Sequence, residues 1–162
     1  MFMNRIEYIS MAGGLFAVLS FVHFFVDFIC QTHFEAMNKH NRPWIRARHC
    51  AVYTVGFVPI LCFFNFGLLE WLAAVNILFW SHFYLDTYHG VFLWAKYVRQ
   101  PPEFKQIGTS GDLSQSAPAD DKEAFVRFIS TQLGKILMIS IDQISHLSFL
   151  FPLVWMAMRH TR

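Results

Sequence analysis

Four long stretches of this sequence carry almost no charge, and they constrain the fold more than any motif does. Residues 8–26, 49–69, 71–95 and 136–158 contain no Lys or Arg, and their only acidic side chains are Asp86 and Asp142. A bilayer core is crossed by a helix of about 20 apolar residues, which is roughly the length of each stretch. With 55% hydrophobic and 18% aromatic residues against 15% charged, the chain is too apolar for an ordinary soluble domain of this length. The expectation is an all-α polytopic membrane protein: one transmembrane domain over 1–162, a four-helix bundle with spans at about 8–30, 49–69, 71–95 and 136–158. Pro59 and Pro152 fall inside spans, where neighbouring helices can satisfy the freed carbonyls. Gly13-Gly14 in the first span either lets another helix approach closely or is simply tolerated in lipid.

The charged residues crowd into 31–48 and 96–135. Residues 31–48 read as a short basic surface loop interrupted by Pro43. Residues 100–121 are rich in Pro, Gly, Ser and Asp and read as a flexible loop. Residues 122–135 read as an amphipathic helix with Phe125, Phe128, Ile129 and Leu133 on one side. In a four-span chain both charged blocks lie on one side, and of 13 Lys and Arg only Arg5, Arg159 and Arg162 fall elsewhere. The positive-inside rule then places both loops in the cytoplasm and both termini outside, in the inner (cytoplasmic) membrane. The first span reads as retained rather than as a cleaved signal, since Glu7, His23 and Asp27 interrupt it and no small-x-small site follows. The net charge of +2 gives no reason to expect a nucleic-acid partner. Cys30, Cys50 and Cys62 are odd in number and lack C-x-x-C spacing, which argues for packing as small hydrophobes.

Within the apolar spans stands a recurring grammar of ionisable pairs. The stretch W-S-H-F-Y-L-D-T-Y-H, Trp80 to His89, sets His82 and Asp86 four apart, on one face of a helix, with His89 continuing that face. His23 and Asp27 repeat the spacing, as do Asp142 and His146, and His49 stands four before Tyr53. Ionisable side chains inside a membrane are costly and mark functional sites by default. Under the topology above, His23, Asp27, His49, His82, Asp86, Asp142 and His146 share one slab near the inner leaflet. Imidazole with carboxylate is the ligand set of zinc, manganese or iron. Two divalent ions with a bridging hydroxide would neutralise three carboxylates, so a pair of ions is expected. Gln31, Gln143 and Lys39 are candidates to support the ligands, and Asp86 and Tyr53 to act as catalytic base and proton donor. His89 is either a further ligand or a solvated histidine. His33, His40 and His160 read as exposed.

Taken together, H-x-x-x-D-F-x-x-Q (His23, Asp27, Phe28, Gln31), then Lys39, H-x-x-x-Y (His49, Tyr53), H-x-x-x-D (His82, Asp86) and D-Q-x-x-H (Asp142, Gln143, His146) form a specific set. Over residues 20–150 the chain resembles the bacterial and phage membrane-protein family called domain of unknown function 3307. The resemblance implies a small helical membrane protein and no particular reaction. The polar stretch before the fourth span is longer than that family needs. From the residues, the expected function is a membrane-embedded metal-dependent hydrolase acting on a lipid or membrane-borne substrate from the cytoplasmic leaflet. The alternatives are a metal, ion or proton transporter or channel subunit, and a structural subunit of a larger membrane complex or homo-oligomer with a structural metal.

Overall fold

The computed structural model describes residues 4–105, 107 and 118–159. The expected flexible loop over 100–121 lies in large part outside them, as does His160. Among the described residues all regular structure is helical. The chain divides into two compact units, Met1–Thr87 with Ser145–Arg162, and Tyr88–Ile144.

The first unit opens with α1, Arg5–Phe24, whose start is written in a capping box. Asn4 Oδ1 accepts from the Glu7 N–H, and Glu7 Oε2 accepts from the Asn4 N–H, both at 2.9 Å. The helix continues as a π turn over Phe25–Ile29. Such a turn inserts one extra residue into the helical register and is frequent at functional sites. A second capping box, Thr32 with Glu35, starts α2, His33–Asn38. Pro43 stands in the first turn of α3, Pro43–Leu61, where its missing N–H costs nothing. The helix therefore begins six residues before the expected span at 49, and Pro43 starts a helix rather than interrupting a loop.

Helix α4, Leu68–Leu85, ends ten residues short of the expected span end at 95. Thr87 Oγ1 donates to the Tyr84 carbonyl at 2.7 Å, and Tyr88 adopts a left-handed φ of 57°. A left-handed residue cannot continue a right-handed helix. His89, which is exposed, consequently does not share the face of His82 and Asp86. The remaining pieces of this unit are the end of α8, Gln132–Ser148, and α9, Phe151–Arg159. Phe149 and Leu150 form the turn between them, and Pro152 follows in the first turn of α9. Leu19 of α1, Phe57 and Leu61 of α3, Leu78 of α4, and Leu153 and Met158 of α9 are buried together, and Phe16 stacks on Phe151 with centroids 4.7 Å apart. Gly56 lets the π turn seat on α3, since a Cβ there would lie 2.5 Å from a Val26 methyl. A Cβ at Gly13 or Gly14 would meet nothing within 4 Å among the described residues, so they mark no close approach there.

The second unit contains α5, His89–Trp94, which continues as a π turn over Ala95–Arg99 and is closed by Gln100 with φ 46°. It also contains α6, Pro102–Lys105, and α7, Asp121–Ser130, capped by Asp120. Phe92 meets the rings of Phe104 and Phe125, and Lys96 pairs with Asp121. The expected single amphipathic helix over 122–135 is two helices, because Thr131 is extended and α8 starts at Gln132. Gly134 permits that corner: its Cβ would fall 1.9 Å from the Phe128 carbonyl oxygen. Gly134→Ala is accordingly expected to destabilise the corner by about 1–3 kcal/mol, seen as a lower unfolding temperature in detergent. Gly13→Ala should leave that temperature unchanged, and equal behaviour of the two variants would refute the packing argument.

Three helical segments are long and apolar enough to cross a membrane: Arg5–Ile29, Leu68–Leu85 and Gln132–Arg159. They leave large apolar side chains facing outward, among them Ile6, Phe21, Leu69, Leu72, Trp80 and Trp155. Exposed apolar surface of this extent is foreign to soluble monomers. The second expected span, 49–69, now largely within α3, is not one of the three, and Arg46 and Arg48 occupy the first two turns of α3.

Candidate metal centre

Five of the expected ligands converge inside the first unit. Asp27 comes from the π turn, His49 from α3, His82 and Asp86 from the end of α4, and His146 from the last turn of α8. They form two groups whose ligand atoms all lie within 4.8 Å of one another, Asp27–His49–His82 and His82–Asp86–His146. All five are buried, His82 and Asp86 to 1% exposure.

The first group is a tight triangle. Asp27 Oδ1 lies 3.1 Å from His49 Nε2 and 3.4 Å from His82 Nε2, and the two imidazole nitrogens are 2.9 Å apart. Lys39 Nζ adds contacts of 3.2 Å to Asp27 Oδ1 and 3.2 Å to His49 Nε2. These contacts cannot all be hydrogen bonds. A ring nitrogen offers one proton or one lone pair. If His49 Nε2 carries the proton, it points a donor at the Lys39 ammonium; if it does not, its lone pair faces the Asp27 carboxylate. A cation among the three acceptors removes the conflict. Nitrogen and oxygen ligands held ~2.0–2.2 Å from a tetrahedral ion stand about 3.3–3.5 Å apart; the 3.4 Å side matches, and the 3.1 and 2.9 Å sides would open by a few tenths of an ångström around an ion.

The second group is looser. Asp86 Oδ2 lies 3.6 Å from both His82 Nε2 and His49 Nε2, and Asp86 Oδ1 lies 3.8 Å from His146 Nε2. Neither oxygen of Asp86 accepts a well-aligned hydrogen bond from the described residues, and its nearest cation is Lys39 Nζ at 3.0 Å.

The remaining candidates take other places. His23 is buried but joins neither group; its Nδ1 shares a 3.0 Å hydrogen bond with the Tyr53 hydroxyl. Its ring stacks on His146 with centroids 5.5 Å apart and meets the His82 ring edge-on at 6.2 Å, so it packs against the cluster without belonging to either ligand group. Tyr53 stacks on the His82 ring with centroids 3.8 Å apart and fixes its plane. Asp142, half-buried, accepts from the Gln143 amide at 3.2 Å, and neither residue belongs to the two groups. Gln31 is half-buried, and its Oε1 accepts no hydrogen bond among the described residues.

Lys39 holds a more central position than a loop lysine suggests. It is 6% exposed. Burial alone would depress its amine, but the Asp86 and Asp27 carboxylates outweigh burial and hold it above its ordinary value as an ammonium. Two further residues carry no motif in the sequence. His40, expected to be exposed, is half-buried, and its Nδ1–H donates to the Asp86 carbonyl at 2.8 Å. Arg46 is buried, donates to the His40 carbonyl at 3.2 Å and lies over the Phe83 ring. Their only signal in the sequence is position, since both flank α2 and the start of α3. Together they pin the segment that delivers Lys39. The cysteines are free, with Cys50 buried and Cys30 and Cys62 exposed. Comparisons with protein-family models, with curated proteins and with solved structures find no match to this chain.

Proposed function

We propose that this is a membrane-embedded protein that binds one divalent cation among Asp27, His49, His82, Asp86 and His146, and that it is a metal-dependent hydrolase of a lipid or other membrane-borne substrate. The observation that carries the metal is the triangle of Asp27 Oδ1, His49 Nε2 and His82 Nε2, for which no placement of protons satisfies every short contact. Imidazole with carboxylate suits zinc, manganese or iron. Two features favour one ion over the two expected from charge. His82 Nε2 is common to both groups and has a single lone pair to give. Lys39 already offsets one of the two carboxylates of the cluster.

Each group supplies three protein ligands, which leaves a position open as catalytic zinc sites do. When bound, the ion supplies polarisation of an ester or phosphoester and activation of water. The chain's own residues supply the rest. With the ion held by Asp27, His49 and His82, Asp86 is not a ligand and, 3.0 Å from the Lys39 ammonium, would be the carboxylate to take a proton from the attacking water. The Lys39 ammonium stands against developing negative charge. Tyr53, hydrogen-bonded to His23, is placed to pass a proton to a leaving group. An apolar groove of ≈ 380 Å³, lined by Phe21, Phe25, Val26, Val52, Val55 and Gly56, adjoins the turn that carries Asp27 and suits an acyl chain. The basic residues that follow α2, Lys39, Arg42, Arg46 and Arg48, favour a site facing the cytoplasmic leaflet of the inner membrane. All five ligands belong to the motif set by which the chain resembles the family named above.

A second reading draws on the same burial. A cluster whose ligands are all buried suits an ion-transit site, or a metal that staples helices within a larger membrane complex. Asp86→Asn separates the readings. Hydrolysis of a panel of lipid esters, amides and phosphoesters by the wild type is expected to fall at least about 100-fold in Asp86→Asn, with insertion and monodispersity preserved. An Asp86→Asn protein that still hydrolyses its substrate overturns the catalytic role. A wild type that holds metal and hydrolyses nothing on the panel favours the second reading.

A further inference from the structure

A second feature lies where α2 meets the start of α3, and none of its lining residues is a metal ligand. It is a cleft of ≈ 330 Å³ lined by Phe34, Glu35, Arg42, Trp44, Ile45 and Arg48. Two guanidiniums face one carboxylate there, and that carboxylate is already engaged. Glu35 Oε2 accepts from both the N–H and the hydroxyl of Thr32, and Oε1 accepts from Arg48 Nε at 2.9 Å. Burial works to raise the Glu35 carboxyl, but the Thr32 and Arg48 hydrogen bonds hold it down at about 2, so it stays ionised and paired. Arg48 commits only Nε to this pair, and its side chain remains 60% exposed. Arg42 is exposed and makes no ion pair among the described residues. The cleft therefore has a surplus positive charge and unused guanidinium donors in a planar array suited to phosphate.

The rim gives the source of the phosphate. Trp44 is 78% exposed and Phe34 58% exposed, and both project from a segment that directly follows the apolar Arg5–Ile29. Aromatic side chains at such a position settle at the head-group level of a bilayer, while arginines beside them attract anionic lipid. A soluble anion would need the guanidiniums and not the greasy rim. We infer that this cleft is a binding site for the phosphodiester head group of an anionic phospholipid, gripped by Arg42 and the free edge of Arg48, with Trp44 and Phe34 against its glycerol and upper acyl chain. The inference rests on the membrane reading and is independent of the metal and of hydrolysis.

The test is native mass spectrometry of the full chain released from mixed micelles that contain equal amounts of phosphatidylglycerol and phosphatidylcholine. Wild type is expected to retain phosphatidylglycerol preferentially. Arg42→Gln, at a residue with no ion pair among the described residues and outside both ligand groups, should lower that retention about fivefold, as expected for one arginine at an anionic surface. Trp44→Ala should lower retention of the same lipid without changing the charge. Equal retention of the two lipids by wild type overturns the proposal, as does unchanged preference in Arg42→Gln. A third arm adds inorganic phosphate at millimolar concentration: no displacement supports a lipid site, and full displacement overturns it in favour of free phosphate. Metal content measured on the same samples reports on the metal reading separately, so either can fail alone.

Discussion

Replacing the shared imidazole, His82→Ala, is expected to reduce bound divalent metal from about one ion per chain to background, read by elemental analysis of protein purified in mild detergent. The argument is geometric. His82 is the one residue common to both ligand groups, so its loss leaves each with two ligands. Two donors do not hold a zinc-type ion that ordinarily takes three or four. The same substitution removes the ring on which Tyr53 stacks, so some stability is lost even without metal. His33→Ala, at an exposed histidine, is the control and should keep its metal. Two ions per wild-type chain would mean that His82 and Lys39 rearrange to admit a dinuclear site. No ion in carefully prepared wild type would sink the metal reading and leave a polar core held by Lys39.

Lys39→Met is expected to act in opposite directions with and without metal. Lys39 Nζ draws on Asp27 Oδ1 and His49 Nε2, two of the atoms an ion in the triangle would use. A unit charge at 4 Å interacts by about 4 kcal/mol at an effective dielectric of 20. Removing the ammonium should therefore tighten metal binding about 10–100-fold, allowing for relaxation. In chelator the same variant leaves Asp27 and Asp86 with no ammonium between them. Breaking a buried ion pair from one side costs about 3–5 kcal/mol, so the chelated variant should unfold far earlier than chelated wild type. Thermal unfolding in detergent, with and without metal, reads both effects. Parallel destabilisation in the two conditions would show that Lys39 and the ion do not compete.

Much of this protein is legible in its sequence because the relevant physics is local. Uncharged apolar runs near bilayer length identify Arg5–Ile29, Leu68–Leu85 and Gln132–Arg159 as segments able to cross a membrane without reference to any contact. His82 and Asp86 stand out because an ionisable pair is conspicuous against such a background. Helix ends were harder to read. Pro43 opens a helix instead of interrupting a loop, and Tyr88 ends α4 by taking a positive φ that no residue type there announces. A pattern of hydropathy cannot see a turn made by one side-chain hydrogen bond such as that of Thr87.

What the sequence alone determined is the material: helices, apolar outer faces, and a short inventory of imidazoles and carboxylates at helical spacing. What only the tertiary structure decided is which of them meet. Asp27 enters a ligand group while His23 hydrogen-bonds Tyr53 and stacks on the His146 ring, although both share the spacing that marked them. Asp142 carries the same signature as Asp86 and belongs to neither ligand group. Lys39 reads in the sequence only as a support for the ligands, and His40 and Arg46 have no motif, yet a buried ammonium, a hydrogen bond to the Asp86 carbonyl and a guanidinium over Phe83 fix the charge and shape of the site. Periodicity along one helix reports which side chains share a face. The balance of protons, lone pairs and charges at a point depends on chain segments brought together from far apart, and no local pattern encodes it.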